Sequence, residues 1–320
     1  MPATLRYARR QRFYEAVFGI SIAETAFDRR GFHFRDLNAR THLENAGCAF
    51  VNGYNHALRE NRLEVLSRSL NDVETEFRGF AFEGASMGLA LLDHLTPWNT
   101  TRLQVFLSGP GRNHKYMVHV GLGWAIARLP PLHLRVERHL TQFDPLLSWL
   151  AIDGYGFHHG YFYGRHYLVK QRLPRRLSAY GCRVFDQGLG RSLWFVDGAD
   201  VERIPTTISA FDSSRQADLW SGVGLACAYA GGVGADAIEF LKRAADTYRP
   251  HVAQGAAFAA KARQLSGLRV EGTNVACQIL CGTSDLDAAE ITDVAIQQLQ
   301  AEGKYPAYEV WRRRIRNAFA

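Results

Sequence analysis

The sequence predicts an all-α or mostly α protein built from an internally duplicated chain. Three observations point there. Apolar residues recur at helical spacing in seven segments, strand-like runs are few and isolated, and an ordered set of motifs occurs twice.

The helical segments are residues 43–58, 86–95, 116–129, 221–229, 237–245, 253–265 and 288–299. Asp287 is placed to cap the last of these, and Gly303 followed by Pro306 would stop it. Gly267 follows the sixth as a C-cap. Strand signals are confined to 101–107, 132–136 and 193–196, with no regular βαβ alternation. Gly84/Gly88, Gly121/Gly123 and Gly222/Gly224 lie in helical stretches and each costs about 1 kcal/mol of helix propensity. Close approach of another backbone, or of a ligand, would offset that.

The repeated motifs come in one order. Tyr116, His119, Val120, Gly123, Ala125 and Ala127 recur as Tyr248, His251, Val252, Gly255, Ala257 and Ala259, an offset of 132. Gly47-Cys48 matches Gly181-Cys182, and Phe50, Gly53 and Leu58 match Phe185, Gly188 and Leu193. The stretch from Glu83 to Ala90 has a looser counterpart in Ser221–Ala226, and Gly31-Phe32-His33 echoes Gly156-Phe157-His158. This organisation divides the chain into a basic arm (1–24), a first helical repeat (25–150) and a second with a C-terminal helix (151–320). Packing about a pseudo-twofold axis would leave a cleft or a buried interface between halves.

At 320 residues, 47% hydrophobic and 22% charged, the chain can build a substantial core. The net charge of +7 comes almost wholly from arginine, a bias expected of a GC-rich genome, and no nucleic-acid module accompanies it. Five widely spaced cysteines fit a reducing cytoplasm, and no His/Cys set has metal-ligand spacing. The basic start, Arg9-Arg10-Gln11-Arg12, is followed by Glu15 and Glu24, which interrupts an export signal's apolar core. The longest uncharged run, 219–235, is too short to span a membrane. Peripheral membrane contact through the basic arm and a homodimer stay open.

No phosphate loop, dinucleotide fingerprint or nucleophile elbow is present. The densest polar-aromatic segment is 153–167, with three histidines, four tyrosines and four glycines. It reads either as a loop presenting acid/base groups or as a linker with aromatic packing. The candidate catalytic set is His158, Tyr155, Glu83 and Asp186: histidine and a carboxylate partner for proton transfer, tyrosine for a developing oxyanion. Glu83 also reads as a carboxylate at a helix start, and Asp186 as the ion-pair partner of Arg191. Arg191, His119, His251, Trp194 and Trp220 are the candidate substrate-binding residues, with the two histidines at matching repeat positions. Arg312, Arg313, Arg314 and Arg316 read as a solvated face or a docking surface.

Five separated motifs resemble an actinobacterial family of unknown function that accompanies enediyne antibiotic gene clusters. They are Phe27–Phe32, Arg78–Ala85, Asp153–His158, Phe185–Phe195 and Asp218–Ala226. The resemblance implies action on the linear polyene made by an iterative polyketide synthase, on its way to the enediyne core or its polyyne precursor. It implies a polyene or polyyne ligand and co-encoded biosynthetic proteins as partners. No cofactor is identified; oxidation would need one supplied elsewhere. The alternative is a non-catalytic protein that holds the hydrophobic ligand and docks the oxidising partner.

Overall fold

The computed structural model describes residues 13–320 except 61, 97 and 130–135. Every regular element among the described residues is a helix, apart from one isolated bridge between Glu302 and Tyr305. Seven long helices form the body: α1 (Leu37–Arg59), α2 (Arg78–Leu95), α3 (Lys115–Arg128), α4 (Trp149–Gly164), α5 (Ala179–Val196), α6 (Ser213–Ala230) and α7 (Arg249–Leu265). Two more, α8 (Asp285–Ile296) and α9 (Ala307–Ala318), close the C-terminal end. No helix among the described residues is long and apolar enough to cross a membrane.

Local chemistry sets several starts. Asp36 accepts from the backbone N–H groups of Asn38 and Ala39 at α1, Ser178 from Gly181 at α5, and Asp212 from Ser214 at α6. Pro250 lies in the first turn of α7, where its missing N–H costs nothing. Gly267 takes a left-handed φ of 67° just past α7, and Leu268 N–H closes back on the Arg263 carbonyl, as expected of a C-cap. At α8 the cap is Ser284, and Asp287 instead accepts from the Ser284 and Thr283 hydroxyls.

Each long helix packs on the next, and neighbouring helices run parallel. Between α5 and α6, Arg183 meets Asp218 at 2.9 Å and Trp194 Nε1 donates to the Gly231 carbonyl at 2.9 Å, so both helices advance together. Between α6 and α7, Ser221 bonds Gln254 and the Tyr229 carbonyl accepts from Arg263. Parallel neighbours require each connection to run back along a helix, and most do so through a short one such as Leu63–Asn71, Ala235–Ala245 or Glu271–Leu280.

Glycine is what lets them approach. Gly121, Gly154, Gly188, Gly222 and Gly255 each press on a carbonyl of the preceding helix, and Gly123, Gly156, Gly190 and Gly224 on one of the following helix. A Cβ at any of these nine positions would stand 2.0–2.2 Å from that oxygen, or 1.9 Å at Gly222. The glycines expected to serve close packing do so, and from Gly121 onward they recur at a one-helix step of 33 or 34 residues.

The row also curls, because helices four places apart meet. Phe80 of α2 packs on Tyr229 of α6 with centroids 5.4 Å apart, and α3 touches α7. The entry to α1 meets the end of α5, where His33 N–H donates to the Val196 carbonyl. The sequence matches at offsets near 132 therefore join segments one turn of the curl apart. A repeated single-helix step accounts for them without a twofold relation between halves, and residue 150 lies inside α4.

The strand expectations are corrected. Residues 102–108 are helical, with Leu103 and Phe106 buried three apart on one face, and 193–196 complete α5. Residues 132–135 lie outside the described residues, and Val136 opens a short helix. The 153–167 segment is no loop: α4 runs to Gly164 and a π-helical turn, Arg165–Val169, follows it. Its glycines Gly154 and Gly156 are helix contacts, and residues 150–160 are buried on all sides.

Gly190→Ala would set its Cβ 2.0 Å from the Leu219 carbonyl oxygen and is expected to destabilise the fold by about 2–4 kcal/mol. Gly272→Ala, with nothing within 4 Å, should be neutral or stabilising by up to about 1 kcal/mol. Urea unfolding of the two variants gives the comparison, and equal losses would remove the packing explanation.

Candidate functional site

From α2 to α7, the residue just before the glycine that meets a carbonyl of the preceding helix faces the axis of the curl. In order these are Glu83, Val120, Asp153, Gln187, Ser221 and Gln254. Four of them form a buried ladder. Gln187 Nε2 donates to Asp153 at 2.7 Å, and the Ser221 hydroxyl reaches Gln187 Oε1 at 3.4 Å and Gln254 Oε1 at 3.0 Å. Arg312 of α9 ends it, donating to Gln254 at 3.1 Å and to Asp218 at 2.8 Å. Arg191 pairs with Asp153 at the other end.

Glu83 is the rung left over. It is fully buried, and neither carboxyl oxygen has a hydrogen-bond partner. The next axial residue is Val120, which offers none. Burial raises the Glu83 pKa to about 7; Arg191 opposes the rise, Asp153 adds to it, and the nearby Trp124 indole offsets part of it. Trp124 Nε1, Arg191 Nε and the Tyr229 hydroxyl are also buried without a partner, and Arg191 and Tyr229 lie within electrostatic reach of Glu83. Four unsatisfied polar groups so close together are costly unless something they bind offsets the desolvation.

Glu83 lines an aromatic-walled slot. Its walls are built by Phe50 of α1, Phe80 of α2, Trp124 of α3, Phe157 of α4 and Phe195 of α5, with the 20–25 segment at one side, and they close to a space of about 40 Å³. Five helices thus set an apolar wall around one acid whose pKa lies near neutrality, a group able to give or take a proton there.

The other expected site residues are dispersed. His158 is buried at the edge of the slot, its ring edge-on to Trp124 with centroids 5.4 Å apart and its Nδ1 unpartnered. Tyr155, one turn earlier, packs on His159 and Phe185 and does not line the slot. Asp186 accepts two bonds from Arg215, so the expected Asp186–Arg191 pair is replaced by Asp186–Arg215 and Arg191–Asp153. Glu83 lies in the interior of α2, not at its start, because the helix already begins at Arg78. His119 Nδ1 bonds its own helix's Lys115 carbonyl at 2.6 Å, and burial, then Arg316 and Arg312 beside it, hold the His251 pKa down to about 4. Trp194 donates to Gly231, and Trp220 is buried in the core of α6, away from the slot lining. Arg9, Arg10 and Arg12 lie outside the described residues. Of the C-terminal arginines, Arg312 is buried on Asp218 and Arg316 pairs with Glu309, while Arg313, Arg314 and Arg316 are half-buried.

Asp153, Gln187, Trp124 and Tyr229 are the site residues that motif reading passed over. The signal for the first two was present: each precedes a glycine at the 33–34 residue step. No group of three or more His, Cys, Asp or Glu among the described residues is placed to hold a metal ion.

Raised from an unfolded value near 4.5 to about 7, Glu83 stays protonated in the folded chain where the unfolded chain has released its proton. Stability from this group is full below pH 4.5 and falls as pH rises to about 7, by up to a few kcal/mol. Glu83→Gln should therefore match the wild type near pH 4.5 and exceed its stability above pH 7. Urea midpoints across that range test it; parallel pH profiles would mean that Glu83 titrates normally.

Residues 9–319 match the family described as "Protein of unknown function (DUF1702)". No curated protein and no solved structure matches the chain.

Proposed function

The chain belongs to the DUF1702 family, and we propose that it binds an elongated, unsaturated, apolar molecule in the slot and moves a proton on it through Glu83. The observation carrying this reading is the Glu83 carboxyl, fully buried in an aromatic wall with both oxygens unpartnered. A conjugated chain enters as the rings of Phe50, Phe80, Phe157 and Phe195 move apart and gains apolar contact from them, while Glu83 is poised between its protonated and ionised forms at neutral pH. Proton delivery to one carbon of a polyene, with removal from another, relocates double bonds and needs no redox group. The five-motif resemblance supports, as that ligand, the linear polyene of enediyne biosynthesis, handled before the enediyne core or its polyyne precursor is complete. Any oxidation then belongs to co-encoded partners.

A carrier without catalysis is the second reading. It is favoured by the dispersal of Tyr155, Asp186, His119 and His251, which leaves Glu83 the one buried acid in the wall. Metabolite profiles of producing cells separate the two. Deletion of the protein should accumulate a polyene, and a folded Glu83→Gln variant should lower the mature product at least about tenfold, matching the deletion. Full product from Glu83→Gln would leave the carrier reading, and an unchanged profile on deletion would remove the pathway.

A further inference from the structure

A second, polar cavity adjoins the slot. The two share Ile20, Glu24 and Phe162, and the second adds Arg30, Arg128 and His158 over about 600 Å³. Its donors are under-used. Arg128 is exposed and, among the described residues, has no hydrogen-bond or ion-pair partner. Arg30 donates to Glu24 at 3.1 Å and lies over the Phe162 ring at 4.6 Å, but its Nε is buried and unpartnered. His158 is only 3% exposed, and its Nδ1 is likewise buried and unpartnered. Burial, then His159, Arg128 and Arg30, hold its pKa well below the usual histidine value, so it is a neutral ring able to donate one N–H.

Charge favours an anion there. Glu24 is the one acid of this cavity, and it is already paired with Arg29 and Arg30, which leaves the Arg128 charge uncompensated. An apolar slot with a cationic chamber sharing its wall matches an amphipathic ligand, tail inside and head outside.

We propose that the Arg30–Arg128–His158 chamber binds the oxyanion head group of the ligand whose tail occupies the slot, making the ligand class an acyl chain ending in an anion. This rests on the slot-binding reading above. The oxyanion has two chemical sources, a free carboxylate or the phosphate of a phosphopantetheine thioester. Both accept charge-assisted hydrogen bonds from guanidinium and imidazole N–H groups.

The test is a fluorescence titration of the full chain with parinaric acid, a conjugated polyene acid that brightens on leaving water, and with its methyl ester. S-acyl phosphopantetheine and S-acyl pantetheine carrying the same chain form a second pair. The expected result is that at least one anionic member binds roughly tenfold tighter than its neutral partner. Arg128→Gln should remove that difference and leave the neutral ligand within about twofold. Preference for the acid over the ester assigns the head to a carboxylate, and preference within the second pair assigns it to a phosphate. Binding of all four with equal affinity, unchanged by Arg128→Gln, would overturn the head-group proposal and leave the slot reading standing. Binding of none would overturn both.

Discussion

Backbone contact between parallel helices, permitted by glycine, is the constraint on which the rest of the molecule depends. Each helix gives up roughly 1 kcal/mol of propensity per interior glycine. In return its neighbours come close enough for carbonyls to occupy the space of a side chain. That approach narrows the axis and turns one residue per helix, the one before the glycine, toward it. Polar residues at these positions must satisfy one another, and Asp153, Gln187, Ser221 and Gln254 do. Where the adjacent axial residue is Val120, the ladder stops, and Glu83 is stranded beside the aromatic slot. The site is thus a gap in a regular pattern.

The arginine-rich composition has a structural reading within the same frame. Arg191, Arg263 and Arg312 are almost fully buried, each spanning more than one element. Arg263 donates to the carbonyls of Thr75, Glu76 and Tyr229, tying the exit of α7 to the entry of α2 and the end of α6. A lysine offers a point charge and could not make such forked bonds. Inward-turned guanidinium groups, as much as genome composition, thus explain part of the positive charge.

Helix content was legible in the sequence, because apolar spacing survives wherever one face stays exposed. It failed for α4, which is buried all round and has no polar face to set a period, so its glycines and aromatics read as a loop. Short runs such as 101–107 were ambiguous because two apolar residues three apart suit a helix turn and a strand equally. The repeated motifs were visible, but the longest match spanned four helices and hid the shorter step beneath it. Glu83 was found as an acid near small residues. Its lack of partners depends on what stands at Val120 and Phe50, on helices that come together only in the fold. The pairing of Asp186 with Arg215 across 29 residues, and of Arg191 with Asp153 across 38, was equally beyond local spacing.

The contacts between helices four places apart have a kinetic side. Arrays whose units touch only sequence neighbours can nucleate anywhere and fray from either end. In this chain α2 waits for α6 and α3 for α7, so loops of more than a hundred residues must close before Phe80 meets Tyr229. Loop closure on that scale is a cost that a linear array of helices does not carry. It should consequently fold slowly for its helix content and lose its two ends together, as one cooperative unit.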